Sequence, residues 1–164
     1  MMKHIRRLPV FLASLFMLPP AAQAETPAEG RQKEYSLDRS HLAMNGYDPV
    51  SYRQPSGPQE GSKQITAEFK GVMYRFVSEK NKTEFLKNPA KYEPEYGGWC
   101  AWAMLDGGRT KSNPESYKIV DEKLYLFYDK FFVDTLKKWN KRAAKTPEPS
   151  LIKEADRQWA KQLD

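Results

Sequence analysis

The sequence contains very little cysteine and histidine. Cys100 is the only cysteine among 164 residues, and His4 and His41 are the only histidines. A single cysteine excludes an internal disulfide, a four-cysteine zinc site and the CxxCH attachment of a haem. Because His4 belongs to the leader identified below, only His41 is left for the folded protein, and this excludes a three-histidine metal site.

The sequence also lacks an apolar run long enough to cross a membrane. The longest run, Leu8–Leu18, has eleven residues, whereas a spanning helix needs about 20. Basic residues precede this run and an Ala-x-Ala site, Ala22–Ala24, follows it, which is the pattern of a secretory signal peptide over residues 1–24. We expect cleavage before Glu25 and export to the periplasm or the extracellular space. The alternative is a retained membrane anchor, which the short run disfavours.

Basic residues outnumber acidic ones only modestly. Lysine and arginine number 27 against 21 acidic residues, for a formal net charge of +6, and three of the basic residues lie in the leader. A nucleic-acid binder would normally carry a concentrated basic stripe, so this partner class is not expected. One predicted C-terminal helix has a basic face, formed by Lys137, Lys138, Lys141, Arg142 and Lys145. We interpret it as a solvated face, with weak attraction to anionic lipid as the alternative.

The pattern of apolar residues predicts one α+β domain over residues 41–164, preceded by a flexible polar arm over 25–40. Apolar side chains alternate over 65–76, on both sides of a Lys-Gly pair, which predicts a hairpin. A second hairpin is predicted over 117–128 by the same criterion. The expected architecture is a small antiparallel sheet made from two hairpins, with helices packed against it.

Several helices are predicted from caps and spacing. Ser78 is a candidate N-cap for a helix over 79–87. A short buried helix is predicted from Trp99, although its apolar run does not by itself distinguish a helix from a buried strand. Two C-terminal helices complete the fold: one capped by Asp129 and carrying Phe132, Leu136 and Trp139, and one carrying Ile152, Ala155 and Trp159.

Three stretches together resemble the YHS-domain family, in its secreted single-domain branch with a YGG-aromatic-CAWA motif. They are GYDPVSY at 46–52, FKGVMYRFVSEKNKTEFLKNPAKYEPEYGGWCAWA at 69–103 and YKIVDEKLYLFY at 117–128. The resemblance implies a small α+β domain with a YHS/TRASH-like core, here extended by the two C-terminal helices. It also implies binding of a metal ion or small ligand, with no established catalytic reaction.

The chain departs from the metal-type motif of this family at its cysteine positions. The corresponding places hold Ser51 or Tyr52, then Val77 and Asn81, which do not supply soft thiolate ligands. We therefore expect the protein to fold without a metal, so that its fold is inherited without that site.

Cys100 lies in the branch's own motif, at a place where some relatives carry selenocysteine. One hypothesis is a binding module for a metal ion or small redox-active ligand, in which Cys100 is joined by His41 and Asp48; copper or another soft metal is the candidate ion. A second is a thiol-dependent redox enzyme, disfavoured because no second cysteine is present. A third is a structural envelope protein with an inert Cys100. If a helix starts at Trp99, its dipole favours a shielded but reachable thiolate.

Aromatic residues gather around the two most specific motifs. The relevant side chains are Tyr47, Tyr96, Trp99 and Trp102. They are interpreted mainly as core, because aromatic residues dominate the packing of small domains. The alternative is the rim of a pocket for a flat or cationic ligand. The sequence identifies no protein partner.

Overall fold

The computed structural model describes residues 26–163, so the predicted signal peptide lies outside the described part. This part forms six α-helices: α1 (Pro27–Glu34), α2 (Glu79–Lys87), α3 (Pro89–Tyr92), α4 (Ala101–Met104), α5 (Thr135–Ala143) and α6 (Glu148–Ala160). It also forms six β-strands: β1 (Ser62–Phe69), β2 (Val72–Phe76), β3 (Asn113–Val120), β4 (Lys123–Phe127), β5 (Asp129–Lys130) and β6 (Val133–Asp134). Among these helices, none has the length and apolar character needed to cross a membrane.

The first predicted hairpin is confirmed. Strands β1 and β2 pair antiparallel, with Phe69 opposite Val72 and Ala67 opposite Tyr74. The connecting Lys70 and Gly71 both have positive φ, which a two-residue turn between twisted strands requires. Alternate residues of β2 are fully buried, so this strand presents one face to the core.

Helix α2 covers the first hairpin, as predicted. The Ser78 side chain accepts a hydrogen bond from the Asn81 backbone N–H and caps the helix. Phe85 on the inner face of α2 packs against Tyr74 and Phe76, with ring centroids 4.7 and 5.3 Å away. These contacts form the centre of the first hydrophobic cluster, which also includes Val50, Tyr52 and Tyr92 among others.

The second predicted hairpin, β3–β4, is also confirmed, and β4 divides the core in two. Its side chains alternate, so that Leu124 and Leu126 belong to the first cluster while Tyr125 and Phe127 belong to a second one. The second cluster joins β4 to the C-terminal helices, through contacts such as Phe127 against Trp139 at 5.6 Å. Its buried members are Tyr96, Ala101, Met104, Leu105, Tyr125, Phe127, Trp139, Leu151 and Ala155.

The expectation of a single sheet is wrong, although the α+β class is correct. The described strands form three separate two-stranded sheets, β1–β2, β3–β4 and β5–β6. The two long hairpins meet through side chains of the first cluster instead of backbone hydrogen bonds. Isolated bridges from Pro94 to Leu124 and from Cys100 to Leu126 place an irregular segment alongside β4.

The predicted flexible arm contains a helix, so that prediction is wrong for residues 27–34. Thr26 and Glu29 form a capping box, and Pro27 occupies the first turn, where its missing N–H has no cost. Helix α1 has no buried residue. Because it is polar on all sides, apolar periodicity could not reveal it.

Two predicted helix starts are also wrong. The helix assigned to Asp129 begins at Thr135 and is capped by Asp134, whose carboxylate accepts from the Lys137 N–H at 2.9 Å. Residues 129–134 form the short β5–β6 hairpin instead. The helix expected from Trp99 begins two residues later, and Cys100 is its N-cap residue. The final helix is confirmed, with Leu151 and Ala155 buried.

Candidate functional site

The YGG motif forms a tight turn against the end of α1. Tyr96, Gly97 and Gly98 all have positive φ, at 54°, 58° and 82°. A Cβ on Gly97 would lie 2.6 Å from the Glu34 carbonyl oxygen, so only glycine permits this approach. The Ser36 N–H donates to the Gly97 carbonyl at 2.8 Å. The turn therefore fixes the polypeptide that leaves α1.

A polar cluster holds the other side of α1. The Arg31 guanidinium donates to Glu93 at 2.5 Å, to the Tyr35 hydroxyl at 2.7 Å and to the Phe69 carbonyl at 3.0 Å. The Tyr74 hydroxyl donates to the same Glu93 oxygen at 2.5 Å. Burial, followed by the neighbouring charge of Glu93, raises the pKa of Tyr35. Burial also raises the pKa of Tyr74, so both hydroxyls remain protonated donors at neutral pH.

A pocket of about 230 Å³ lies between these two features. Its walls come from the end of α1, the segment from Ala90 to Gly97, and α6. Its charged and aromatic lining residues are Arg31, Glu34, Tyr35, Glu93, Glu95, Tyr96 and Trp159. Three carboxylates thus face one guanidinium, and that guanidinium is engaged by the internal bonds just described. The carboxylates therefore outnumber the cationic groups among the lining residues, and two basic residues border the lining: Lys123 pairs with Glu95 at 3.4 Å, and the Arg109 guanidinium lies 5.2 Å from the centre of the Trp159 ring.

Cys100 follows the YGG turn by two residues and is not among the residues that line the pocket. Its side chain is fully buried. The Sγ atom accepts a hydrogen bond from the Tyr128 N–H at 3.3 Å and lies 3.4 Å from the Thr135 hydroxyl oxygen. Tyr128 and Thr135 also bond each other directly, since the Tyr128 N–H donates to the Thr135 hydroxyl at 2.9 Å and that hydroxyl donates to the Tyr128 carbonyl at 2.8 Å. Cys100 is thus a small buried residue that packs beside the link between the end of β4 and the start of α5.

Asp48 is a fully buried carboxylate whose oxygens are all engaged by the protein. It accepts from the Val50 N–H at 2.8 Å, the Val77 N–H at 2.9 Å and the Asn81 side-chain amide at 2.7 Å. The Ser51 hydroxyl donates to the Asp48 carbonyl at 2.6 Å. Of the positions compared above with metal-binding cysteines, Ser51, Val77 and Asn81 therefore contact Asp48, whereas Tyr52, the alternative to Ser51, donates its hydroxyl to the Pro114 carbonyl at 2.8 Å.

The structure does not join His41, Asp48 and Cys100 in one ligand set. His41 is exposed, in a left-handed backbone conformation, and its carbonyl accepts from the Met73 N–H at 2.9 Å. Asp48 and Cys100 have different hydrogen-bond partners in different parts of the core. Within residues 26–163, no group of three or more His, Cys, Asp or Glu side chains is arranged to hold a metal ion.

The four aromatic candidates have separate roles. Tyr96 is buried, lines the pocket and donates its hydroxyl to Asp156 at 2.8 Å. Trp99 donates its indole N–H to the Glu34 carbonyl at 2.8 Å and so braces the end of α1. Tyr47 packs against the first cluster and Trp102 against the second. Only Tyr96 of the four lines this pocket.

The pocket's charged residues were not identified from the sequence. Arg31 and Glu93 are 62 positions apart, in polar segments without a periodic pattern. The one local signal was the capping box at Thr26 and Glu29, which predicts a helix start and would have placed Arg31 and Glu34 on a helix. Comparison with known proteins found no matching family model, curated protein or solved structure.

Proposed function

We propose that this protein is an exported binding module of the YHS type, which folds without a metal and takes a small organic cation in the pocket between α1 and the YGG turn. The observation that carries the proposal is the excess of carboxylates over free cationic groups among the pocket's lining residues. No catalytic group is assigned.

Contacts around Asp48 support the YHS-type core. A ligand set has to converge on one point, and Val77 and Asn81, two of the positions compared with the family's cysteines, both donate to the same Asp48 carboxylate oxygen. Ser51, one of the two candidates for the first cysteine position, donates to the Asp48 backbone carbonyl instead. Here a carboxylate, an amide and backbone N–H groups occupy that point. A hydrogen-bond network of this kind can stabilise the region without a metal.

The chemistry of the pocket supports a cationic ligand. Arg31 directs its N–H groups to Glu93, Tyr35 and Phe69, so it is not available to bind an anion. Glu34 also lines the pocket, and its backbone carbonyl accepts from the Trp99 indole N–H at 2.8 Å, which fixes the position of this residue at the end of α1. Glu95 pairs with the exposed Lys123 at 3.4 Å. A bound amine can compete for such a pair, because exposed ion pairs contribute little stability.

Isothermal titration calorimetry with putrescine, tetramethylammonium and acetate tests the ligand class. We expect putrescine or tetramethylammonium to bind, acetate not to bind, and affinity to fall with salt. The double variant Glu34→Gln, Glu95→Gln should weaken putrescine binding at least about tenfold, since charge-assisted hydrogen bonds to its ammonium groups are lost. It should also weaken binding of tetramethylammonium, which has no N–H donor, through the loss of carboxylate charge. Glu68→Gln, an exposed carboxylate on β1, is the matched control and should bind as the wild type does. Binding of acetate alone, or of none of these probes, would overturn the proposal.

Export is tested separately. The pattern in residues 1–24 predicts that the exported protein begins at Glu25. The intact mass of protein recovered from the exported fraction should correspond to residues 25–164. A mass that retains the leader would instead favour the membrane anchor.

A further inference from the structure

The β5–β6 hairpin exposes two large apolar side chains. Lys130 pairs with Val133, which makes Phe131 and Phe132 the two central residues of the turn. Phe131 is 84% exposed and Phe132 is 111% exposed, relative to an extended reference. Neither belongs to either of the two hydrophobic clusters of the described chain. The two rings therefore contribute nothing to the folded core.

The backbone of this turn is also unfavourable for phenylalanine. Phe131 and Phe132 both have positive φ, at 51° and 67°. A two-residue hairpin turn with this geometry favours Asn-Gly, because bulky side chains crowd the backbone in the left-handed region. Strain of this kind is commonly retained at sites of function. Both the strain and the exposure need a reason outside the folded chain.

Basic residues outnumber acidic ones in the sequence around the tip, although Asp129 and Asp134 lie in the hairpin itself and Lys137 pairs with Asp134 at 3.1 Å. Residues 129–145 contain six basic and two acidic residues. Lys130 adjoins the tip, and exposed Lys137, Lys138 and Lys141 lie on α5, on the side away from buried Trp139. Exposed aromatic residues next to a lysine face are the pattern of proteins that adsorb to anionic membranes.

We propose that the β5–β6 tip inserts Phe131 and Phe132 into the interfacial region of a bilayer, while the lysines of the tip and of α5 bind anionic lipid headgroups. A narrow protruding turn can enter a deformable bilayer without a matching groove. This inference does not depend on the ligand of the pocket, which is lined by other residues.

Vesicle flotation tests the proposal with the purified chain. We expect co-flotation with vesicles of equal parts phosphatidylcholine and phosphatidylglycerol, weaker binding in high salt, and little binding to phosphatidylcholine alone. Phe131→Asn with Phe132→Gly should reduce partitioning at least about tenfold. Because Asn-Gly suits the turn, the melting temperature should stay the same or rise. An unchanged melting temperature then shows that any loss of binding comes from removing the two phenylalanine side chains and not from unfolding.

Two further variants identify the source of binding. Lys138→Gln with Lys141→Gln should weaken binding to phosphatidylglycerol vesicles while leaving the fold intact. Leu86→Asn removes another exposed apolar side chain, on α2, and should not change partitioning. The proposal is overturned if the wild type does not float, or if the Asn-Gly variant floats equally well. It is also overturned if the phenylalanines drive self-association without vesicles, which would assign the tip to a second copy of the chain.

Discussion

The two hydrophobic clusters on either side of β4 are assembled from different kinds of sequence. Much of the first comes from neighbouring elements, β1, β2 and α2, which follow one another directly along the chain. The second joins the YGG segment, β4 and the C-terminal helices, whose contacts span large sequence separations. Local patterns therefore determine much of the first cluster, whereas the second depends on packing between short elements far apart in sequence.

Each of the two regions around these clusters also contains one fully buried residue whose side chain made it a candidate ligand in the sequence: Asp48 in the first region and Cys100 in the second. Asp48 organises the first region through strong hydrogen bonds to the Val77 N–H and the Asn81 side chain. Cys100 packs in the second cluster's region beside Tyr128 and Thr135, which bond each other directly, and its sulfur adds weaker bonds to both. Both residues support the fold, but an ionised group is far more costly to leave incompletely satisfied. Substitutions should therefore affect the two regions unequally.

The largest effect is expected for Asp48→Ala. The substitution leaves the buried donors of Val50, Val77 and Asn81 without their acceptor, and we expect a loss of about 4 kcal/mol in the free energy of unfolding. Urea denaturation followed by circular dichroism measures it. The control is Asp38→Ala, which removes a carboxylate that also accepts two backbone N–H groups, but in an exposed turn. It should cost about 1 kcal/mol; equal losses would contradict a special role for Asp48.

Elements with a strong local pattern could be predicted on both sides of β4, because the β3–β4 hairpin and α6 were predicted as well as the first hairpin. The first hairpin and the Ser78 cap were predictable because alternation and capping are local. Helix α1 was missed because its docking depends on Arg31 and Glu93, which are distant in sequence and show no periodicity. The turn at Phe131 was missed because no sequence rule favours phenylalanine there. The pocket brings the end of α1 together with residues 90–97 and Trp159, which are distant in sequence, and so only Tyr96 of its lining was among the predicted site residues.

Gly97→Ala tests the close contact between the YGG turn and the end of α1. The new Cβ would contact the Glu34 carbonyl at 2.6 Å in a left-handed backbone, and we expect a loss of about 3 kcal/mol. Gly107→Ala is the matched control. Its φ is also positive, at 73°, but its nearest neighbour would be 3.7 Å away, so only the backbone cost of about 1 kcal/mol should appear. Thermal and urea unfolding of both variants would reveal whether the close approach, and not glycine flexibility, matters at Gly97.

Cys100 should behave as a packing residue of intermediate importance. Cys100→Ala removes a fully buried sulfur, while the Tyr128 N–H keeps its bond to the Thr135 hydroxyl at 2.9 Å, so we expect mainly a cavity cost of about 2 kcal/mol. Cys100→Ser retains an acceptor and should lose less. Iodoacetamide should not modify Cys100 in the folded wild type, and mass spectrometry should detect modification only in denaturant. Rapid labelling of the native protein would restore the thiolate hypothesis and contradict a structural role.

The smallest effect, and one of opposite sign, is expected for Tyr125→Phe in the second cluster. The Tyr125 hydroxyl is buried and has no hydrogen-bond partner within residues 26–163. The ring packs against Tyr96 with centroids 5.8 Å apart, so the phenylalanine variant keeps the aromatic contact and removes an unsatisfied polar group. We expect stabilisation by about 1 kcal/mol. Tyr96→Phe provides the contrast, because its hydroxyl donates to Asp156 and its loss should cost about 1 kcal/mol. Equal destabilisation of both variants would show that the Tyr125 hydroxyl has a hydrogen-bond partner in solution. The buried polar groups of the second cluster would then be as fully hydrogen-bonded as those of the first.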